Sequence, residues 1–392
     1  MAVAIYTHPE LFPPVLNAVD ELAGVFKTVH IISRNLVARN WSYPDNVQLL
    51  SSGNYVSIRD SEKAPMKWKL NSFFRFTRDF QRILKKEKPD WVMCNDPISL
   101  YAFSLIRPLL GYSPRLWYHN HDVVDLESQR KFSVGWFAVR SERKQFNKID
   151  LFTLPSKDRL KYFPIENLKG KSLVIPNYPS LRRMKKPTRT DKSLSGELKL
   201  IYQGHIGEGH GLKEIIEFVK TDPGLRLTII GPGNEPFVQS LKTQVSTAGI
   251  EDRVSIRDPV PYAELSAITR QHQVGLAIHQ PVNTAFRTAA LASNKIYEYA
   301  ASGLTVLYYG DEHYRHWLGN YRWCFPTRLT MDDLSASIRN IRANYPLLSE
   351  MAEADFQNKL NFGAVFHQVL PLLAASQSSN QGIKRTPFSN NR

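Results

Sequence analysis

The run Ser293-Asn294-Lys295-Ile296-Tyr297-Glu298-Tyr299-Ala300-Ala301-Ser302-Gly303 combines residue types that suit a nucleoside diphosphate. The pattern predicts a short helix that stops at Gly303 and passes into a buried strand, Leu304-Thr305-Val306-Leu307-Tyr308-Tyr309. Ser293 or Asn294 caps the helix start, where free amides and the positive end of the helix dipole favour an anion. Glu298 lies about one turn in, placed to accept hydrogen bonds from both hydroxyls of a ribose. The same residues also fit an ordinary surface helix with a Lys/Glu pair.

A second constellation is Trp117-Tyr118-His119-Asn120-His121-Asp122, at the end of a predicted strand. Histidine beside aspartate offers a proton carrier and a group to orient it, which makes His121 and Asp122 the candidate catalytic pair. His119 and His121 alternate along the segment and are expected on opposite faces, one of them packed inside. No third ligand at helical spacing accompanies them, so a metal is not expected. A third constellation is Gly204-His205-Ile206-Gly207-Glu208-Gly209-His210-Gly211-Leu212, lying between a predicted strand and a predicted helix as a phosphate-cradling loop does. Its glycines let the backbone approach a pyrophosphate closely, although a flexible turn has the same composition.

These residues need elements to hold them. Strand-like runs at 3–6, 28–32, 91–94, 115–118, 151–154 and 173–175 alternate with helical stretches, and the pattern repeats at 199–202, 225–230, 253–256, 274–278 and 305–309. Two successive β/α alternations predict an α/β protein of two Rossmann-like parallel-sheet domains facing a cleft, with ligands at the carboxyl ends of the strands. The basic, proline-punctuated stretch that follows Pro176 marks the boundary. The expected division is a first domain over 1–176, a linker over 177–197, a second domain over 198–348, a last helix over 349–373 and a disordered polar tail over 376–392.

The order of these segments resembles that of family-4 glycosyltransferases. Residues 294–303 are similar to their K-x-x-E-Y-x-A-x-G signature. Leu200-Ile201-Tyr202-Gln203-Gly204-His205-Ile206 and Leu227-Thr228-Ile229-Ile230-Gly231-Pro232-Gly233 precede it in the family's order. The likeness covers most of residues 197–325 well and the first half loosely. It implies the two-domain GT-B fold, retaining transfer, an acceptor-binding first domain completed by the last helix, and a second domain that binds the nucleotide sugar. The donor site it implies comprises Gly204, His205, Gly207, His210, Gly231, Arg287, Asn294, Lys295 and Glu298, and His121-Asp122 resembles a His-Asp pair of the acceptor domain.

Two departures matter. His205 and His210 stand where relatives usually carry Arg and Lys, so Lys295 or Arg287 is expected to balance the diphosphate. Ala290 occupies the position, eight before Glu298, of a second glutamate that contacts the donor sugar in many relatives. A non-catalytic scaffold of the same fold therefore stays open as an alternative, as does a sugar-nucleotide epimerase.

No Asp-x-Asp sequence occurs, so no metal and no further cofactor is expected on the diphosphate. The expected donor is a UDP-sugar. The 392 residues exceed one ordinary core. Two distant cysteines, Cys94 and Cys324, suit neither a disulfide framework nor a zinc site. The first residues read as a strand and not a signal peptide, and no run of about 18 apolar residues exists, which points to the cytoplasm. The net charge of +15 tolerates anionic partners, yet no nucleic-acid motif is present.

That charge lies in patches, one of them in residues 66–88. Treated as a helix, Met66, Leu70, Phe73, Thr77, Phe80 and Leu84 share one face, while Arg75, Arg78, Arg82, Lys85 and Lys86 lie opposite. The apolar face is expected to pack on the first sheet. The basic face suits an anionic membrane surface, and with it a lipid-linked acceptor at the inner face of the cell membrane. The expected activity is transfer of a sugar from a nucleoside-diphosphate sugar to a glycan or lipid-linked acceptor, in cell-surface polysaccharide or glycoconjugate synthesis.

Overall fold

The computed structural model describes residues 1–37, 41–184 and 196–374. The first domain contributes β1 (Ala2–Ala4), β2 (Val29–Arg34), β3 (Val47–Ser52), β4 (Trp91–Cys94), β5 (Arg115–His119), β6 (Leu151–Leu154) and β7 (Lys171–Val174). They form one parallel sheet in the order β3-β2-β1-β4-β5-β6-β7. The second contributes β8 (Leu198–Gln203), β9 (Leu225–Ile230), β10 (Val254–Arg257), β11 (Val274–Ala277), β12 (Thr305–Tyr309) and β13 (Cys324–Thr327). These also pair in parallel, in the order β10-β9-β8-β11-β12-β13.

Helices cover both faces of each sheet, which is why the central strands read as continuous apolar runs. One apolar cluster lies on either side of the first sheet and one on either side of the second. The strand order reverses between β1 and β4 and again between β8 and β11. Crevices open at the carboxyl ends of the strands at such points.

Two strands that the alternation pattern misses are edges. β3, Val-Gln-Leu-Leu-Ser-Ser, pairs on one side only and is half-buried, so its apolar signal is weak. β13 carries Pro326, whose missing N–H is tolerated on an edge strand.

The helix Met66–Glu87 buries Phe73, Phe76, Thr77, Phe80 and Leu84 against the first sheet. Its first turns depart from the expectation. Leu70 is 37% exposed and Met66 only half-buried, and it is Trp68, Asn71, Ser72 and Arg75 of these turns that face inward, onto a hollow beside β2 and β3.

The single helix expected over 349–373 is also replaced. A 28-residue helix, Met331–Asn358, packs on the second domain through Leu334, Ile338, Ile341 and Tyr345, then Leu348, Ala352 and Phe356. Asn361 stops the run by capping a new helix, Phe362–Phe366, accepting from the Ala364 amide at 3.0 Å. Phe362, Phe366, Val369 and Leu373 pack with Val3, Trp91 and Trp117 under the first sheet. Residues 185–195 of the expected linker and the expected tail over 376–392 lie outside the described residues.

Candidate active site

The helix Asn294–Ala301 is seated by one aromatic ring. Gly275 in β11 has no side chain, and a Cβ there would lie 2.2 Å from the Tyr299 ring, so only glycine lets the helix approach this closely. The Tyr299 hydroxyl accepts from the Gln203 amide at 3.1 Å and donates to the Ile201 carbonyl at 3.3 Å. The helix is thereby clamped across the crevice between β8 and β11.

The helix start is open. Ser293, the N-cap, makes no side-chain cap, and the buried Ser293 Oγ and Asn294 Oδ1 have no hydrogen-bond partner. Lys295 Nζ stands 4.3 Å from the centre of the Tyr202 ring and beside Gly204, at the end of β8. Burial pushes its ammonium down to about 7, with Glu298 opposing the shift. Gly231, at the end of β9, has φ 147°, and a Cβ there would fall 1.9 Å from the Gly204 carbonyl oxygen. The two glycine backbones therefore meet where an anion would approach Lys295. An open helix start, oxygens without a partner and, among the described residues, a half-buried lysine with no salt bridge are features that suit an anion.

Glu298 faces the same crevice but is engaged by protein. Gln203 Nε2 donates to its Oε2 at 2.6 Å and the Tyr262 hydroxyl to its Oε1 at 2.7 Å. Gln203 Oε1 in turn accepts from Thr269 Oγ1 at 2.7 Å. Burial raises the Glu298 carboxyl above its ordinary value, against the two donors and Lys295. Trp41 packs against Tyr262 with ring centres 6.3 Å apart, and the Arg183 guanidinium lies 4.1 Å above Trp41. The space left beside Glu298 is about 30 Å³, room for a water molecule. Trp41 and Arg183 line this space together with Gln203 and Tyr262.

The loop 204–211 does follow a strand and precede a helix, Leu212–Thr221. Its two histidines have different surroundings. His205 is exposed, whereas His210 is buried against Tyr202, His279 and Phe286 with Nδ1 on the Ile278 carbonyl at 3.0 Å. Burial takes His210 down to about 3, so it is neutral at pH 7 and adds no positive charge to that of Lys295. Gly207 is buried against the His205 ring. Arg287 is exposed and lines another hollow, of about 1000 Å³, with Lys161, Arg315 and Arg328.

His119 and His121 are not on opposite faces. Residues i and i+2 of an extended chain share a face, and the two rings stand 4.3 Å apart, edge to face. His119 Nδ1 bonds Thr153 Oγ1 at 2.5 Å. Both ring nitrogens of His121 are buried without a partner, and Phe12 of the loop after β1 lies 6.1 Å from its ring. Burial lowers both histidines, His119 to about 3 and His121 well below its ordinary value, so both are neutral. The Asp122 side chain is 60% exposed.

Arg159, which sequence reasoning passed over, ties this pair to the second domain. Only 1% exposed, it donates from Nη1 to the His121 carbonyl at 2.5 Å and from Nε to Thr288 Oγ1 at 3.1 Å, with Asp122 Oδ1 at 3.6 Å. Beside it, Asp158 accepts from Trp317 Nε1 at 2.8 Å and faces His313 Nδ1 at 3.2 Å. His313 Nε2 accepts from the Ala290 amide at 3.4 Å. At the position where many relatives carry a glutamate, the backbone is thus already bonded to protein. Gln203, Tyr262, Thr269, Trp41 and Arg183 were likewise passed over, because an isolated Gln, Tyr or Trp carries no motif.

Two facing parallel-sheet domains with a crevice at their strand ends are the GT-B fold. Solved structures of similar shape are glycosyltransferases and related sugar-nucleotide proteins. Sucrose-phosphate synthase from Thermosynechococcus elongatus matches with a TM-score of 0.70 at 13% identity, over 97% of this chain and 99% of that one. The Anabaena protein HepE, in complex with UDP and glucose, matches with a TM-score of 0.64 at 13% identity, over 95% and 99%. A putative UDP-N-acetylglucosamine 2-epimerase from Listeria monocytogenes matches with a TM-score of 0.61 at 13% identity, over 99% of each chain. No family model matches the chain, nor does the sequence of any curated protein.

Proposed function

We propose that this protein transfers a sugar from a nucleoside-diphosphate sugar, a UDP-sugar, to a glycan or lipid-linked acceptor with retention. The observation that carries the reading is the open start of helix Asn294–Ala301 with Lys295 poised over Gly204 at the β8/β11 crevice. The amides and the lysine stabilise the charge that develops on the departing diphosphate, the interaction that such a transfer most needs. Glu298 takes the ribose hydroxyls on the lone pairs that Gln203 and Tyr262 leave. His121, neutral and with both ring nitrogens unpartnered, offers one donor and one acceptor to a hydroxyl entering from the first domain. Arg159 keeps His121 and Asp122 in register with the donor side.

The helix Met66–Glu87 supports peripheral attachment to an anionic membrane, with production of cell-surface polysaccharide or glycoconjugate as the setting. Arg78, Arg82 and Lys86 are 71–76% exposed, and Phe74, 63% exposed, stands beside them. Among the described residues no helix is long and apolar enough to cross a membrane.

Calorimetric titration with UDP, GDP, ADP and CMP, followed by incubation with the matching sugar nucleotides and acceptor extracts, tests this reading. UDP should bind and a UDP-sugar should be consumed into a larger product. An epimerase would instead interconvert the free sugar nucleotide without an acceptor, which proton NMR distinguishes. A scaffold would bind none of the four nucleotides.

A further inference from the structure

A hollow of about 310 Å³ opens in the first domain at the carboxyl ends of β2 and β3, apart from the donor site. Trp68, Asn71 and Arg75 of helix Met66–Glu87 wall it on one side, and Asn35, Asn54 and Tyr55 on the other. Arg34, the last residue of β2, lines it and is only 9% exposed. Its guanidinium stands 4.8 Å from the centre of the Tyr6 ring and 5.4 Å from that of Trp68, and Nη2 donates to Ser61 Oγ at 2.6 Å.

Among the described residues no carboxylate pairs with Arg34. Burying a cation without an anion is costly, and ring contacts return only part of that cost. Arg75 turns the same way, with Nη1 3.5 Å from where a Cβ on Gly53 would lie, so a second guanidinium borders the hollow. Flat aromatic walls and side-chain amides are what a sugar ring requires, one for its C–H face and the other for its hydroxyls. Two guanidiniums add a preference for a planar or tetrahedral anion, which they bind in a fork.

We infer that this hollow is the acceptor subsite and that it takes an anionic sugar, one bearing a carboxylate or a phosphate. The inference rests on the transferase reading for the word acceptor, and on this pocket alone for the ligand. It also assigns Arg75 to ligand binding, where the sequence had placed it among the membrane-facing cations.

The full chain, titrated with D-glucuronate, glucose 6-phosphate and glucose while heat is followed, tests it, with UDP run in parallel. The charged sugars should bind at least about tenfold more tightly than glucose. Whichever of the two binds more tightly names the anion. Arg34→Lys should cut the preference by about tenfold, because an ammonium cannot make the fork. Asn71→Asp, at the exposed rim where folding is not at stake, should abolish it. Equal binding of glucose and the charged sugars, or an undiminished preference in both variants, overturns the inference. Binding of UDP without any charged sugar removes this subsite and leaves the donor reading standing. Binding of a charged sugar without UDP supports the pocket and overturns the donor reading.

Discussion

Gln203 and Glu298, 95 residues apart, are joined by a 2.6 Å hydrogen bond from the amide to the carboxylate at the mouth of the β8/β11 crevice. The bond and that from Tyr262 leave each carboxylate oxygen one further lone pair, which is where the ribose hydroxyls of a bound nucleotide are expected. Glu298→Gln should weaken UDP affinity by roughly 1.5–3 kcal/mol, the range for a hydrogen bond to a charged group. The fold should persist, since a glutamine still accepts from Tyr262. Unchanged affinity in a folded variant would remove Glu298 from the site.

Lys295 gives the binding a pH dependence. Its ammonium is held down to about 7 in the free protein, and a bound diphosphate raises it again. UDP affinity should therefore be level below about pH 7 and fall above it, by up to tenfold per pH unit until the bound-state value is reached. Lys295→Met should bind weakly and lose the slope. A wild-type profile that is flat from pH 6 to pH 9 would contradict the placement of Lys295 on the phosphates.

Transfer should proceed in excess EDTA, because the charge on the departing diphosphate is met by amides and Lys295 and no Asp-x-Asp sequence is present to hold a cation. Loss of turnover that Mn²⁺ restores would show that a metal, not the helix terminus, does this work.

Glu142 links stability to pH. Burial raises its carboxyl to about 7, against hydrogen bonds from Tyr118 and Asn120 and the nearby Arg143. The neutral form is favoured in the folded state, so its stabilisation is complete below about pH 4.5 and is lost as pH rises through 7. Between pH 4 and pH 8, Glu142→Gln should gain on the wild type by roughly 3 kcal/mol in urea unfolding. A difference that does not change with pH would mean that Glu142 is charged in the fold.

Attachment through helix Met66–Glu87 should be reversible and salt-sensitive. Each cation near an anionic surface contributes about 1 kcal/mol, less once screened. Asp79 tempers this, since its Oδ1 lies 3.7 Å from Arg78 and 4.0 Å from Arg82. Co-sedimentation should need anionic vesicles, weaken with salt and drop when Arg78, Arg82 and Lys86 become Glu. Equal recovery on neutral vesicles would leave this face plainly solvated.

The β/α alternation, the glycine stop at 303 and the phosphate-loop position between β8 and the helix Leu212–Thr221 were legible in the sequence. Each depends on neighbours a few residues away: apolar runs for strands buried on both faces, and backbone freedom where the chain turns. The edge strands β3 and β13 were not legible, because half-burial leaves no continuous apolar run and Pro326 reads as a breaker. The last helix was misplaced because one polar residue, Asn361, decides where the chain breaks and returns to the first domain.

Tertiary structure alone decided how the candidate site is wired. Lys295 and Glu298 were chosen from their spacing, but Gln203 and Tyr262, which bond Glu298, and Trp41, which packs on Tyr262, lie 95, 36 and 257 positions away and carry no motif. His119 and His121 were found by type, while their shared burial came from the packing of Phe12 and Thr153 around them. Arg159 in sequence is one of 51 cations, and only the meeting of two domains makes it a buried tie between His121 and Thr288. Local patterns dictate which elements form, because a helix or strand is stabilised by residues within a turn or two. Partner choice across a cleft depends on contacts between distant segments, which nothing in a residue's neighbourhood along the chain encodes.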